Sequence, residues 1–193
     1  MVYTSLRPSK ALIKLSNYGV KYVEVSYNNF EFFEKLGVSD DELFKEVLEV
    51  TPSLSSKVVA IHLPYGELLS KAANVSELPK VIKLLSKWLK FSAELGVKVA
   101  TIHTPFNRAG LNEDSLTYLS RVKDINYRFF KELVKVANDY DVVLAVENRL
   151  EKGVYGYLPS DLINLINLIN DDYLRLCLDT GHANVNGFQP HEF

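Results

Sequence analysis

Short β-branched runs alternate along this chain with longer stretches of helical periodicity, and that alternation constrains the fold more than any other feature. Residues 21–26, 57–62, 97–103, 142–147 and 173–178 read as strands, with a weaker one at 2–5. Near-continuous apolar runs of this length suit parallel strands buried on both faces. Between them, residues 77–95 set Leu84, Trp88, Phe91 and Leu95 on one helical face and stop at Gly96. Residues 114–140 carry Ile125, Phe129, Leu133 and Val136 on a similar stripe. Ser160 is expected to cap the next helix, with Leu162, Ile163, Leu165, Ile166 and Ile169 facing inward. Shorter helices fit residues 9–18 and 39–50, where Asp40, Asp41 and Glu42 suit the positive end of the helix dipole. Strand followed by helix, six times over at roughly 30 to 45 residues per unit, predicts an α/β fold with a parallel sheet and right-handed crossovers. Two architectures compete. A doubly wound sheet usually carries a glycine-rich phosphate turn after its first strand, and none is present. The other is a TIM-type (β/α) barrel, whose functional groups sit where strands end.

Composition removes several function classes. The 193 residues suit a single domain, 1–193, with no linker or low-complexity segment inside it. A net charge of -2 and a pI of about 6.1 lack the basic excess of a duplex-binding surface. That disfavours nucleic acid as a partner while leaving room for a local basic groove. The one cysteine, Cys177, has no internal disulfide partner, and it sits mid-strand like an inert buried thiol. No run reaches the ~18 apolar residues of a membrane span, and the opening residues lack the apolar core of a signal peptide. A cytoplasmic protein with no membrane partner is therefore expected.

The chemistry gathers at strand ends. One strand closes on His62, the next on His103, the next on Glu147 and the last on Asp179, with His182 three residues later. Imidazole nitrogens mixed with carboxylate oxygens suit Zn, Mn, Co or Fe rather than Ca. Each residue also has a structural reading. His62 and His103 fit satisfied core histidines, and Asp179 fits a cap on the turn through Thr180 and Gly181. Glu147 is harder to explain structurally, because it follows five apolar residues and a carboxylate inside a core is costly unless paired or ligated. Glu24 shares a face with Tyr22 and Ser26 and fits a structural ion pair at least as well as a site role. His191 lies in a polar tail, and Lys80, Lys83, Lys87 and Lys90 form the solvated face of a helix. There is no Gly-x-Ser-x-Gly elbow and no phosphate-binding loop.

At these residues the sequence resembles the xylose-isomerase-like TIM barrel superfamily, which holds sugar isomerases and epimerases together with endonuclease IV-type abasic-site nucleases. The matching motifs are Ile61-His62-Leu63-Pro64-Tyr65, Ile102-His103-Thr104-Pro105, Ala145-Val146-Glu147-Asn148 and Leu178-Asp179-Thr180-Gly181-His182. The resemblance implies Glu147 and Asp179 as metal ligands, with His182 touching substrate or a further metal. It makes His62 and His103 ligands in the nuclease branch, and substrate-binding groups, with Tyr65, in the sugar branch. Barrels of this family take further ligands from a seventh and an eighth strand, so the chain is expected to form an incomplete barrel of about six βα units, lacking the last two.

The reading favoured is a divalent-metal-dependent sugar or sugar phosphate isomerase or epimerase. It would move a proton through an enediolate, with Glu147 and His182 as the catalytic residues. The metal would be Zn, Mn, Co or Mg. An abasic-site phosphodiesterase is the alternative, and a truncated barrel that binds without turnover is the third. The expected partners are a small-molecule sugar and, across the open strand edges, further copies of the chain.

Overall fold

A computed structural model of the chain describes residues 5–105 and 115–193. Five strands, β1 (Tyr22–Ser26), β2 (Lys57–His62), β3 (Val99–His103), β4 (Val143–Glu147) and β5 (Leu174–Cys177), pair in parallel and in chain order. A doubly wound sheet reverses its strand order partway along, and this sheet does not, which decides between the two architectures. The expected strand at 2–5 lies outside the described residues apart from Ser5, which sits in a turn. Among the described residues there are thus five strands rather than six, and the sheet is a curved run that does not close on itself.

Among the described residues eight α-helices flank and separate the strands: α1 (Pro8–Asn17), α2 (Asn28–Glu34), α3 (Asp40–Val50), α4 (Glu67–Lys71), α5 (Leu78–Glu94), α6 (Ser115–Asp139), α7 (Pro159–Ile169) and α8 (Thr180–Val185). The longer ones fall where periodicity placed them. Ser39 caps α3 by accepting from the Glu42 amide at 3.3 Å, and Gly96 ends α5 at a φ of +71° that a side chain would resist. Three short helices, α2, α4 and α8, were not expected; each is at most seven residues, too short to show a 3.6-residue period. All three occupy loops that follow strands.

Two local expectations fail. Pro159 takes the first helical position of α7 behind Leu158, so Ser160 lies inside the first turn and caps nothing. On the same helix only Leu162 and Leu165 are buried, and Ile163 is exposed. α5 also turns slightly from the expected stripe. It buries Val81, Leu85, Trp88, Leu89 and Phe91, leaving Leu84 and Leu95 at the margin.

The core lies between the sheet's outer face and the helices. Val23, Val25, Val58, Ile61, Ala100, Ile102, Leu144 and Val146 meet the helical side chains there. Trp88 anchors it, with Phe30 at 4.7 Å and Phe44 at 5.0 Å between ring centroids, both edge-on. Phe91 stacks on Phe44 at 4.1 Å, so one aromatic cluster joins α2, α3 and α5. The inner face of the sheet lines a cavity of about 1010 Å³. Among the described residues no helix is long and apolar enough to cross a membrane.

Candidate metal centre

Strand phase decides which side chains reach the inner face. Val23 pairs with Val58 and Glu24 with Ala60, so Val59 is an extra residue bulged out of β2. Val58 and Ile61 stand three apart, an odd spacing that puts them on opposite faces of a regular strand, yet both are buried in the outer core. The bulge reconciles them and turns His62 inward beside Ser26. β3 and β4 pair residue for residue, which sets His103 directly opposite Glu147.

Glu147 is the hub. It is 7% exposed, and its two oxygens face two different groups. Oε2 lies 3.2 Å from His62 Nε2 and 3.8 Å from His103 Nε2, while Oε1 lies 3.5 Å from His182 Nδ1. Across the loop after β5, His182 Nε2 is 3.7 Å from Asp179 Oδ2. Two ligand-like groups result, His62–His103–Glu147 and Glu147–Asp179–His182, each with its donor atoms within 4.8 Å of one another.

The two histidines beside Glu147 Oε2 differ electrostatically. Burial opposes charge on His62, but its hydrogen bond to Glu147, helped by the Leu63 carbonyl at 3.0 Å from Nδ1, outweighs that and raises its pKa. His103 is pushed down to about 2, by burial first and then by the neighbouring charges of Arg149, His62 and His182. It is a neutral imidazole, and its buried Nδ1 has no hydrogen-bond partner among the described residues. A neutral ring beside a buried carboxylate is already in the protonation state that metal binding requires. Together with the mixed nitrogen and oxygen donor set, this shows that the residues present fit a divalent ion of the Zn or Mn type.

His62, Tyr65, His103, Glu147, Asp179 and His182, the residues singled out from the sequence, all line the one cavity. Tyr65 sets its ring edge-on to His62 at 5.2 Å and to His103 at 5.5 Å, and its hydroxyl donates to Asn28. Asp179 serves as cap and candidate ligand at once. Its Oδ1 accepts from the His182 amide at 2.8 Å to open α8, and Oδ2 faces the His182 ring. Of the two readings of Glu24, the structural ion pair is not found among the described residues, and the side chain lines the cavity. It lies exposed on the inner face, accepts from Thr101 Oγ1 at 3.3 Å, and meets no cation within ion-pair reach among the described residues. Cys177 is half-buried on the cavity wall rather than in the core, because its pairing opposite Glu147 turns it inward. Burial and the nearby carboxylates Glu147 and Glu24 push its thiol up to about 11, so it stays inert. His191 is exposed and outside the cavity.

Two residues of the centre were given no role from the sequence, although Asn148 closes one of the matching motifs. Arg149 is buried in the cavity wall, holding Glu151 through Nε at 3.0 Å and Nη2 at 2.8 Å. Gly156 makes room for it; at φ +91° an added Cβ would stand 3.2 Å from Thr104 and 3.3 Å from Arg149. Asn148 is fully buried and bonds to Asp179. A polar residue just beyond a strand looks solvated in sequence, and only the folding back of residues 149–156 buries these two.

A sequence profile of the xylose isomerase-like TIM barrel matches residues 12–192. An uncharacterized protein of Methanocaldococcus jannaschii is 26% identical over 136 residues, covering 70% of this chain and 45% of that protein. A probable endonuclease 4 of Mesoplasma florum is 24% identical over 149 residues, covering 76% and 47%. The chain therefore spans about half the length of the curated relatives it matches. Among solved structures, a D-tagatose 3-epimerase-like protein superposes with a TM-score of 0.74 at 20% identity, over 90% of this chain and 61% of that one. D-psicose 3-epimerase in the presence of D-fructose gives 0.71 at 14% identity, over 94% and 61%. The IOLI protein with a bound zinc atom gives 0.68 at 16% identity, over 92% and 59%. These structures share the fold. Because the profile runs through all five strands and the loop that carries His182, the chain belongs to the xylose isomerase-like TIM barrel family.

Proposed function

We propose that the protein is a divalent-metal-dependent sugar isomerase or epimerase, shifting a proton on the carbon beside a sugar carbonyl. The observation that carries this reading is the placement of Glu147, a buried carboxylate among three imidazoles at the mouth of a barrel-type sheet. His62, His103, Glu147, Asp179 and His182 are the residues that would hold the ion. When bound, the ion would stabilise negative charge developing on a substrate oxygen.

The chain's own residues do the rest. Glu147 holds or accepts a proton in a site where burial strengthens each electrostatic contact. His182, a quarter exposed at the cavity rim, is placed to hand a proton to or from a substrate hydroxyl. Tyr65 covers the His62 and His103 rings and shields them from bulk water. The relatives support the substrate class, since the similar structures include proteins named as D-tagatose and D-psicose 3-epimerases. The lone thiol Cys177 suits a reducing compartment, and we place the protein in the cytoplasm.

Incubating the protein in heavy water with Mn²⁺ or Zn²⁺ and a panel of free and phosphorylated ketoses and aldoses tests this directly. Deuterium should enter the carbon next to the carbonyl of at least one sugar, and Glu147→Gln should abolish the exchange. A second reading, incision of DNA at abasic sites, is favoured by one observation: His62 and His103 both stand in one ligand-like group with Glu147. Cleavage of an abasic-site duplex with no exchange into any sugar would replace the first reading with the second.

A further inference from the structure

We infer that Asn148 is a positioning residue, which orients Asp179 and His182 for an ion before any ion binds. This rests on the metal-centre reading above and concerns how one half of that centre is built. The last backbone pair between β4 and β5 is Glu147 opposite Cys177. Beyond it, the side-chain amide of Asn148 takes over the ladder. Its Oδ1 accepts from the Asp179 amide at 2.7 Å, and its Nδ2 donates to the Asp179 carbonyl at 3.0 Å. A primary amide offers a donor and an acceptor side by side, as a peptide group does; aspartate lacks the donor and alanine lacks both.

The main-chain carbonyl of Asn148 completes the arrangement by facing His182 Nδ1 at 2.9 Å. A carbonyl only accepts, so Nδ1 carries the hydrogen in the neutral ring and Nε2 keeps its lone pair. Asp179 Oδ1 is committed to the His182 amide, which leaves Oδ2. Each candidate ligand is thus left with one free atom, and these two atoms lie 3.7 Å apart. The far end of α8 is tied to the same stretch, where Asn186 Nδ2 donates to the Arg149 carbonyl at 3.0 Å. A six-residue helix has little stability of its own, so its orientation follows from these ties.

The test uses ¹⁵N-histidine-labelled full chain, wild type, Asn148→Ala and Asn148→Asp, read by NMR without metal and by calorimetry with Zn²⁺. Wild-type His182 should be the Nδ1–H tautomer. In Asn148→Ala the ring should mix both tautomers, and zinc affinity should fall about 10- to 100-fold, the range typical of outer-shell changes, while the His62 and His103 signals stay in place. Asn148→Asp keeps one of the two bonds to Asp179, so it should show a smaller shift in tautomer and stands in if the alanine variant does not fold. An Nε2–H tautomer in the wild type, or variant tautomers and zinc affinity equal to wild type within about twofold, overturns the inference. If the wild type binds no zinc, the metal reading fails by itself. The tautomer change between wild type and variant then still decides the role of Asn148.

Discussion

His62 and His103 flank the same oxygen of Glu147, yet the structure shifts their pKa values in opposite directions. The His62 pair stabilises the fold fully below the ordinary imidazole value of 6.5, and that contribution fades as pH rises through the raised folded value. His103 works the other way. Its folded form refuses a proton, so stability declines as pH falls below 6.5, where the unfolded chain takes one up. In Glu147→Gln the burial of His62 is left without its carboxylate, and an NMR titration should find the ring titrating below 6.5 instead of above it. An unchanged midpoint would mean that Glu147 does not set the proton on His62. The same substitution should cost about 1.5–3 kcal/mol at acidic pH, the worth of a hydrogen bond to a charged group. Glu147 was legible in sequence because a carboxylate closing five apolar residues has few structural uses. Asn148 and Arg149 follow it directly and were not, since their burial depends on a loop returning at Gly156.

Between elements, the junction of α2 and α3 carries a second electrostatic feature. Burial and the Glu34 carboxylate push Asp40 up from 3.8 to about 8, against the weaker pull of Trp88 and Lys87. The folded chain holds that proton more tightly than the unfolded one, so stability falls as pH rises from about 4 to about 8 and then levels off. Asp40→Asn should remove this slope and gain about 1 kcal/mol above pH 8, a figure reduced for solvent screening because the group is only half-buried. Thermal melts of both proteins across pH check it, and a constant difference at every pH would count against it. In the loop between β4 and α7, Gly156→Ala should destabilise by about 1–3 kcal/mol, since it forces a side chain to positive φ and presses on Thr104 and Arg149. Denaturant midpoints measure that loss. The longer helices were legible from period and caps. The bulge at Val59 was not, because its evidence is the pairing with β1, a contact that no local pattern encodes. Ser160 misled for a related reason: a good capping residue lost its position to Pro159, which is better suited to the first helical turn.

At the scale of the whole molecule, strand and helix alternation sufficed for a parallel sheet, and the paired order of β1 to β5 makes it barrel-like. The edges remain a consequence to test. Among the described residues β5 pairs only with β4 and its Leu176 is half-covered, while Ile163 and Leu168 of α7 and Val185 of α8 are exposed. An unpaired strand edge together with exposed apolar side chains predicts self-association, seen as apparent mass rising with concentration in light scattering. A monomer across a wide concentration range would contradict it. The centre around Glu147 is the claim on which the functional reading depends, and calorimetric titration of Zn²⁺ and Mn²⁺ into wild type, Glu147→Gln and Asp179→Asn tests it most directly. Saturable binding is expected from the wild type, weakening as the histidines protonate, with a loss of about tenfold or more in each variant. The loss should be greater for Glu147→Gln, because both ligand groups share that residue. An ion held as tightly by Glu147→Gln as by the wild type would contradict it.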